Sequence, residues 1–161
     1  MSTAPEVTLR RARPEEAGIL ADVSTRAFHS DAAVGGPMAG GPPGYDSPGW
    51  QREAMGWGEY HAIVVEGEIA GGAIVVRKGP GHWELSRLFL DPTLHRRGIG
   101  RRVVALLWET YPEARRWTLD TPAWNRRTRP FYEGFGFVEV GRVTHPGGPE
   151  LVVYERVSAP I

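Results

Sequence analysis

A short glycine-containing loop with flanking arginines is the stretch of this sequence best suited to bind a ligand. The loop reads HRRGIG, from His95 to Gly100, and it follows an apolar run that ends at Asp91 and Pro92. Apolar side chains recur at helical spacing from Val103 onward. A helix that begins at the glycines presents unpaired N–H groups and a positive dipole end, and both attract an anion such as phosphate. We interpret the loop as an anion site; a plain strand-to-helix turn with an exposed basic face is the alternative.

Two common nucleotide-binding loops do not match this stretch. The NTPase pattern GxxxxGK[ST] does not occur, and the only lysine of the chain is Lys78. The dinucleotide pattern GxGxxG is also missing, because Arg101, Arg102 and Val103 follow Gly100. Both classes of nucleotide-binding protein are therefore disfavoured.

The composition is typical of one globular domain, which we expect to span residues 1–161. Nineteen basic and nineteen acidic residues cancel, so the net charge favours neither a nucleic-acid nor a membrane partner. Cysteine is absent, which excludes disulfides and thiolate chemistry, and the five histidines lack metal-binding spacing, so no metal is expected. No apolar run approaches the ~18 residues of a membrane span, and no signal peptide is evident. A cytoplasmic protein is expected.

Hydrophobic periodicity predicts an alternation of strands and helices along the chain. Strands are predicted at 7–11, 60–65, 69–77, 82–90, 117–121, 137–142 and 151–156, and helices at 14–28, about 50–55, from the glycines near 98–100, and at 125–135. The strands at 82–90 and 117–121 are joined through a helix, so they should be parallel. This order predicts a mixed α/β (α+β) sheet with helices packed on it.

Glycine and proline are dense between residues 29 and 58, where long regular structure is therefore not expected before about Trp50. An ordered loop is favoured over a disordered linker, because Tyr45, Trp50, Met55 and Trp57 supply large side chains to bury.

Two motifs resemble the GNAT superfamily of acetyl-CoA-dependent N-acetyltransferases. HRRGIG is similar to the family's [QR]xxGx[GA] loop, with His95 at the position where glutamine or arginine is usual. The stretch NRRTRPFYEGFGF, from Asn125 to Phe137, is similar to the family's late helix. The resemblance covers roughly residues 7–156. It implies a GNAT-like, mostly antiparallel sheet of about six to seven strands with a splayed central parallel pair, flanked by helices.

The resemblance implies that acetyl-CoA is the cosubstrate. Its pyrophosphate is expected on the N–H groups of the loop, and its pantetheine arm between strands that splay at Phe89 and Leu119. An N–H near Leu90 would face the thioester oxygen as an oxyanion donor. The implied cofactor-binding residues are Leu88, Phe89, Leu90, His95, Arg96, Arg97, Gly98, Ile99, Gly100, Arg101, Asn125 and Tyr132.

The resemblance also implies that Tyr132 is the general acid that protonates the departing thiolate. The alternative is a core aromatic residue beside Phe131 and Phe135.

Glu84 is the predicted general base, because some family members carry a catalytic glutamate fourteen residues before the first loop glycine. Strict strand alternation would place Glu84, Ser86, Leu88 and Leu90 on one face, so that the carboxylate faces the cleft. A solvated or ion-paired glutamate is the alternative. Asp120 and His82 are competing candidates for the base.

The predicted function is transfer of the acetyl group of acetyl-CoA to a primary amine of a small molecule. The alternative is a non-catalytic acyl-CoA-binding sensor or interaction module on the same fold. A nucleic-acid reader, suggested by the arginine clusters, ranks third. The sequence leaves open the identity of the acceptor amine and the formation of a homodimer.

Overall fold

Seven strands form one mixed sheet in the computed structural model, which describes residues 5–36 and 40–158. The strands are β1 (Val7–Arg11), β2 (Glu59–Val65), β3 (Glu68–Gly79), β4 (His82–Leu90), β5 (Arg116–Pro122), β6 (Val138–Thr144) and β7 (Glu150–Val157). Their order across the sheet is β1-β2-β3-β4-β5-β7-β6. Strands β4 and β5 are parallel, and the other neighbouring strands are antiparallel. The predicted mixed, mostly antiparallel sheet with a central parallel pair is confirmed.

Helices cover both faces of the sheet. They are α1 (Ala17–His29), α2 (Pro48–Trp57), α3 (Ile99–Thr110) and α4 (Thr128–Glu133). Leu20 of α1 and Ala54 of α2 are buried in one apolar cluster with Ile74 of β3. Val103 of α3 and Tyr132 of α4 belong to the other cluster, on the opposite face. No helix in the described part of the chain is both long enough and apolar enough to cross a membrane.

The hairpin predicted between β2 and β3 is confirmed, and the geometry of its turn explains why a glycine is present at position 67. Glu66 and Gly67 have φ values of 50° and 80°. Two consecutive residues with positive φ are the signature of a type I′ turn, whose twist matches that of the flanking strands. Helix α2 is longer than predicted, because the Ser47 hydroxyl caps it by accepting a hydrogen bond from the Trp50 N–H.

A bulge in β4 reverses the side-chain alternation that the sequence predicted. Leu85 pairs with Val75 of β3, whereas Arg87 pairs with the adjacent Ile74, so Ser86 is the extra residue. The prediction that Glu84, Ser86, Leu88 and Leu90 share one face is therefore wrong. Before the bulge, Trp83 and Leu85 lie on the α3 face; after it, Leu88 and Leu90 lie there. Glu84 and Arg87 thus share the opposite face, toward α1 and α2.

Glu16 joins β1 to the start of α1. Its carboxylate accepts hydrogen bonds from both terminal nitrogens of Arg10, at 2.9 and 2.6 Å, and from the Arg13 N–H at 2.9 Å. The hydrogen bonds from Arg10, with the smaller contribution of the Arg13 N–H, outweigh desolvation and lower the pKa of Glu16 to about 2.

We expect Glu16→Gln to lower the free energy of unfolding at pH 7 by about 1–2 kcal/mol, because a charge-assisted hydrogen-bond set is weakened. A depressed pKa in the folded state stabilises the protein above the ordinary carboxyl pKa, and this stabilisation is lost as pH falls toward 2. The difference between wild type and variant in urea unfolding should therefore shrink from pH 7 to pH 3. The exposed neighbour Glu15, replaced by Gln, is the control, and an equal difference at both pH values would contradict the assignment.

Candidate active site

A gap opens between the two parallel strands in the middle of the sheet. Strands β4 and β5 pair only where residues 82–84 face residues 116–118. Beyond that point β4 stays paired with β3 as far as Leu90, and β5 stays paired with β7 as far as Pro122. Each strand therefore follows its outer neighbour, and the predicted splay of the central pair is present.

Backbone groups of β4 line this gap. The Asp91 N–H donates to the Ala70 carbonyl at 2.7 Å, in register with the β3–β4 ladder. Antiparallel residues alternate between bonding their partner strand and facing away from it. The N–H and C=O groups of Phe89 consequently face β3, and those of Leu88 and Leu90 face the gap. An extended amide-containing chain placed in the gap would lie next to the backbone N–H and C=O groups of Leu88 and Leu90.

The glycine loop forms the N-terminal end of α3, as predicted. Gly98 has a φ of 77° and caps the helix, and Arg96 also has a positive φ, 64°. The first helical hydrogen bond runs from the Arg102 N–H to the Gly98 carbonyl, at 3.1 Å. The N–H groups of Ile99, Gly100 and Arg101 therefore point out of the helix end, where the dipole is positive.

Charged side chains surround this helix end. The side chains of Arg96, Arg97 and Arg101 are exposed, and that of Ile99 is buried beneath the loop. Exposed guanidinium groups beside free N–H groups are suited to a phosphate or pyrophosphate.

His95 connects the loop to the edge of the gap. Its Nε2 donates a hydrogen bond to the Leu90 carbonyl, at 3.0 Å. Desolvation, followed by the charge of Arg127, lowers the pKa of His95, so the ring is neutral near pH 7. The His95 side chain therefore contacts β4, one of the two strands that border the gap.

Tyr132 lies where α4 packs against the start of α3. The neighbouring Phe131 ring would be 3.3 Å from a Cβ atom added at Gly100, so the glycine lets the two helices approach closely. The Tyr132 ring is buried in the same apolar cluster as Ile99 and Leu119. Desolvation alone raises the pKa of its hydroxyl, which is therefore protonated at neutral pH. A buried, protonated hydroxyl on this face of the gap is suited to donate a proton.

Asn125 lies before α4 rather than inside it, so the helix predicted over 125–135 is too long. The Asn125 side-chain oxygen accepts hydrogen bonds from the N–H groups of Arg127 and Thr128, both at 3.0 Å. This side-chain bond competes with a helical start at Asn125 and delays α4 to Thr128. Asn125 is 2% exposed and positions the N-terminus of α4.

The segment between α1 and α2, here called the α1–α2 loop (residues 30–47), contacts both sides of the gap. On the β5 side, an ion pair joins Asp31 to Arg127 at 2.5 Å, and the Arg126 N–H donates to the Val34 carbonyl at 3.2 Å. On the β4 side, Nη1 of Arg87 donates to the Pro43 carbonyl at 2.9 Å. The described parts of the loop thus pack against both flanking segments, as an ordered loop would; residues 37–39 lie outside the described residues.

Aromatic side chains of this region pack as expected, with one exception. The Tyr45 ring lies 6.1 Å from that of Phe28, and its hydroxyl is 2.9 Å from Nε2 of His29. The Trp50 ring packs edge-on against that of Trp57, but Trp57 is 51% exposed. Tyr45, Trp50 and Met55 are half-buried, whereas the expected burial fails at Trp57, because α2 turns that side chain toward solvent.

The three candidate bases all lie on the α1–α2 face. Glu84 is the last residue of β4 that pairs with β5, and Nζ of Lys78 is 3.8 Å from its carboxylate. Nε2 of His82 is 2.8 Å from the Thr118 hydroxyl, and burial lowers the pKa of this histidine. Asp120 alternates with Leu119, which faces the opposite cluster. A base would therefore act from one face of the gap and Tyr132 from the other.

Arg87 is a residue of this site that the sequence reasoning did not identify. It is the only charged residue between Leu85 and Leu90. Plain alternation would place it beside the buried Leu85 and Phe89, and a charge at an apparently buried position was the available signal of a bulge. Among the described residues, no group of three or more side chains is arranged to hold a metal ion.

Comparisons with known proteins agree with this geometry. The structure is similar to an acetyltransferase from Thermus thermophilus, with a TM-score of 0.77 and 19% identity over 96% of this chain and 98% of that one. It is also similar to the PaiA N-acetyltransferase from Thermoplasma acidophilum in complex with coenzyme A, with a TM-score of 0.75 and 15% identity over 94% of this chain and 99% of that one. A search of curated protein sequences gave no match. The model of the acetyltransferase (GNAT) family matches residues 29–137, which is more than half of the sequence, and the chain therefore belongs to that family.

Proposed function

We propose that this protein is an N-acetyltransferase that moves the acetyl group of acetyl-CoA to a primary amine of a small molecule. The observation that carries the proposal is the gap between β4 and β5, with a free helix N-terminus at its end and a buried tyrosine on one face. Family membership supports acetyl transfer, and the site supplies residues for each step.

The residues at the gap fit acetyl-CoA. The N–H groups of Ile99, Gly100 and Arg101 would hold the pyrophosphate, with the neighbouring arginines offsetting its charge. The backbone edges of Leu88 and Leu90 would bind the amides of the pantetheine arm. Bound there, acetyl-CoA supplies an activated acetyl group as a thioester. Contacts from His95 and Asn125 to the cosubstrate remain predictions, since both side chains already make internal hydrogen bonds.

The chemistry requires two proton transfers. The neutral amine attacks the thioester carbonyl, its C–N bond forms as the C–S bond breaks, and the proton of the amine passes to a base. The leaving thiolate takes a proton from the Tyr132 hydroxyl, which yields free CoA and an N-acetylated amine. Charge on the thioester oxygen would be stabilised by the N–H near Leu90.

For the base we retain Glu84, which lies on the face from which the α1–α2 loop covers the gap. We expect Glu84→Gln to remove the acid limb of the pH profile of kcat/KM, because the variant has no carboxylate to accept the proton of the amine. The pH profile of kcat/KM for Asp120→Asn should keep its acid limb. A limb that persists in Glu84→Gln and disappears in Asp120→Asn would reassign the base to Asp120.

The function is tested by measuring free thiol released from acetyl-CoA in the presence of a broad panel of amines, alongside thermal stabilisation by CoA. Release that depends on an amine, together with mass spectrometry of the acetylated product, is the expected result. Stabilisation by CoA without release on any amine would overturn catalysis and favour a non-catalytic acyl-CoA-binding module.

A further inference from the structure

Arg87 is placed by the β4 bulge on the face of the gap that the α1–α2 loop covers. Its Cα partner is Ile74, which is buried against Leu20 of α1. Without the extra residue at Ser86, the same side chain would lie in the apolar cluster beneath α3. The bulge therefore places this cation on the same face as Glu84, the proposed base, where the amine of an acceptor would be deprotonated.

The Arg87 guanidinium is held by a stacking contact and a hydrogen bond but is not paired with an anion. Its central carbon lies 4.1 Å from the centre of the Trp50 ring, and Nη1 donates to the Pro43 carbonyl. Nine ion pairs form within the described part of the chain, and Arg87 is in none of them. Desolvation lowers the pKa of Arg87 to about 10, so it is still a cation at neutral pH.

A guanidinium has five N–H donors, and the carbonyl of Pro43 uses one of them. A half-buried cation with spare donors and no paired anion is suited to bidentate binding of a carboxylate. Stacking on Trp50 restricts its orientation, so little further ordering is needed when such a ligand binds.

An acidic group lies on the opposite side of the gap. Asp120 projects from β5 on the same face as Arg87. Desolvation raises the pKa of Asp120, while the charges of His145 and Arg87 act in the opposite direction. The charges of Arg87 and Asp120 thus affect each other's pKa, although the two side chains do not form an ion pair. One fixed cation and one anion on facing strands complement a molecule that carries both charges.

We propose that the acceptor is an amine that also carries a carboxylate, with the carboxylate bound by Arg87 and the amine on the side of Asp120. This inference rests on the proposed acetyltransferase function and specifies its substrate class.

The test compares matched acceptors that differ in the carboxylate alone. Each set contains an amino acid, its carboxamide and the corresponding decarboxylated amine, for example L-phenylalanine, L-phenylalaninamide and 2-phenylethylamine, with β-alanine and its analogues as a set of different length. Thiol release with wild-type enzyme should give a kcat/KM at least 10-fold higher for the carboxylate member of the best set, as expected for a charge-assisted pair.

The variants Arg87→Gln and Arg87→Lys test whether Arg87 causes the preference for acceptors that carry a carboxylate. Arg87→Gln should lower kcat/KM for the carboxylate member at least 10-fold, mainly through KM, and leave the amide and amine members little changed; Arg87→Lys should retain part of the preference. Arg77→Gln, on an exposed position of β3, is the matched control. Melting temperature and CoA affinity, measured on each variant, separate loss of binding from loss of the fold.

The outcomes distinguish the two proposals. No release with any amine would overturn the acetyltransferase function and this inference with it. Release with equal kcat/KM for acids, amides and amines would overturn only the carboxylate assignment. A carboxylate preference that Arg87→Gln leaves intact, in a variant that still folds and binds CoA, would overturn the role of Arg87.

Discussion

Replacing Tyr132 with phenylalanine is expected to lower kcat about 10²-fold or more, with little change in the affinity for CoA. The change removes one hydroxyl oxygen from a ring that is 7% exposed, so the apolar packing is kept. Under the proposed mechanism, the variant therefore loses only the proton donor for the leaving thiolate. Steady-state kinetics and calorimetric titration with CoA measure the two quantities.

The matched control is Tyr111→Phe. The Tyr111 hydroxyl donates to Glu59 at 3.0 Å and lies 2.6 Å from Nε2 of His61, so its loss should lower stability while leaving kcat unchanged. Burial raises the pKa of Tyr132, and we therefore expect no loss of kcat from its ionisation below about pH 10. An unchanged kcat in Tyr132→Phe would reduce Tyr132 to a core aromatic residue.

Replacing Gly98 with valine is expected to weaken CoA binding about 10²-fold or more, because the loss of about two phosphate hydrogen bonds has that effect. Gly98 has a φ of 77°, a conformation that a β-branched residue avoids. The backbone at the end of α3 would have to change, and its N–H groups would no longer converge.

Gly67→Val provides a close control for this change. Gly67 has a φ of 80°, and a Cβ atom added at either glycine meets nothing within 4 Å. The two variants should therefore be destabilised to a similar extent, but only Gly98→Val should lose CoA affinity in calorimetric titration. Equal CoA affinities for the two variants would show that the loop does not hold the pyrophosphate.

The local features of the site were predictable from the sequence, because short-range chemistry determines them. Glycine spacing next to an apolar strand predicted the start of α3 near Gly98. The glycine loop and the later motif that ends at Phe137 together indicated the GNAT family. The match of that family's model to residues 29–137 confirms it. The parallel pairing of β4 with β5 followed from their connection through a helix.

The orientation of side chains along β4 was not predictable from the sequence. Strict alternation assigns faces by counting residues, and a bulge inserts one extra residue, so every side chain after it lies on the opposite face from the one predicted. The shift at Ser86 separated Glu84 from Leu88 and Leu90, and it brought Arg87 to the face of the α1–α2 loop. Register depends on which β3 residue pairs with which β4 residue, and that is a long-range property.

The sequence by itself therefore determined the order of elements, the start of α3 at the glycine loop and the family, since each depends on neighbours along the chain. The tertiary structure alone decided where β4 and β5 separate, because each strand follows a partner distant in sequence. It also decided that His95 bonds the Leu90 carbonyl and that Arg87 stacks on Trp50. Those contacts join segments whose approach is set by packing of the whole sheet rather than by local residue preference.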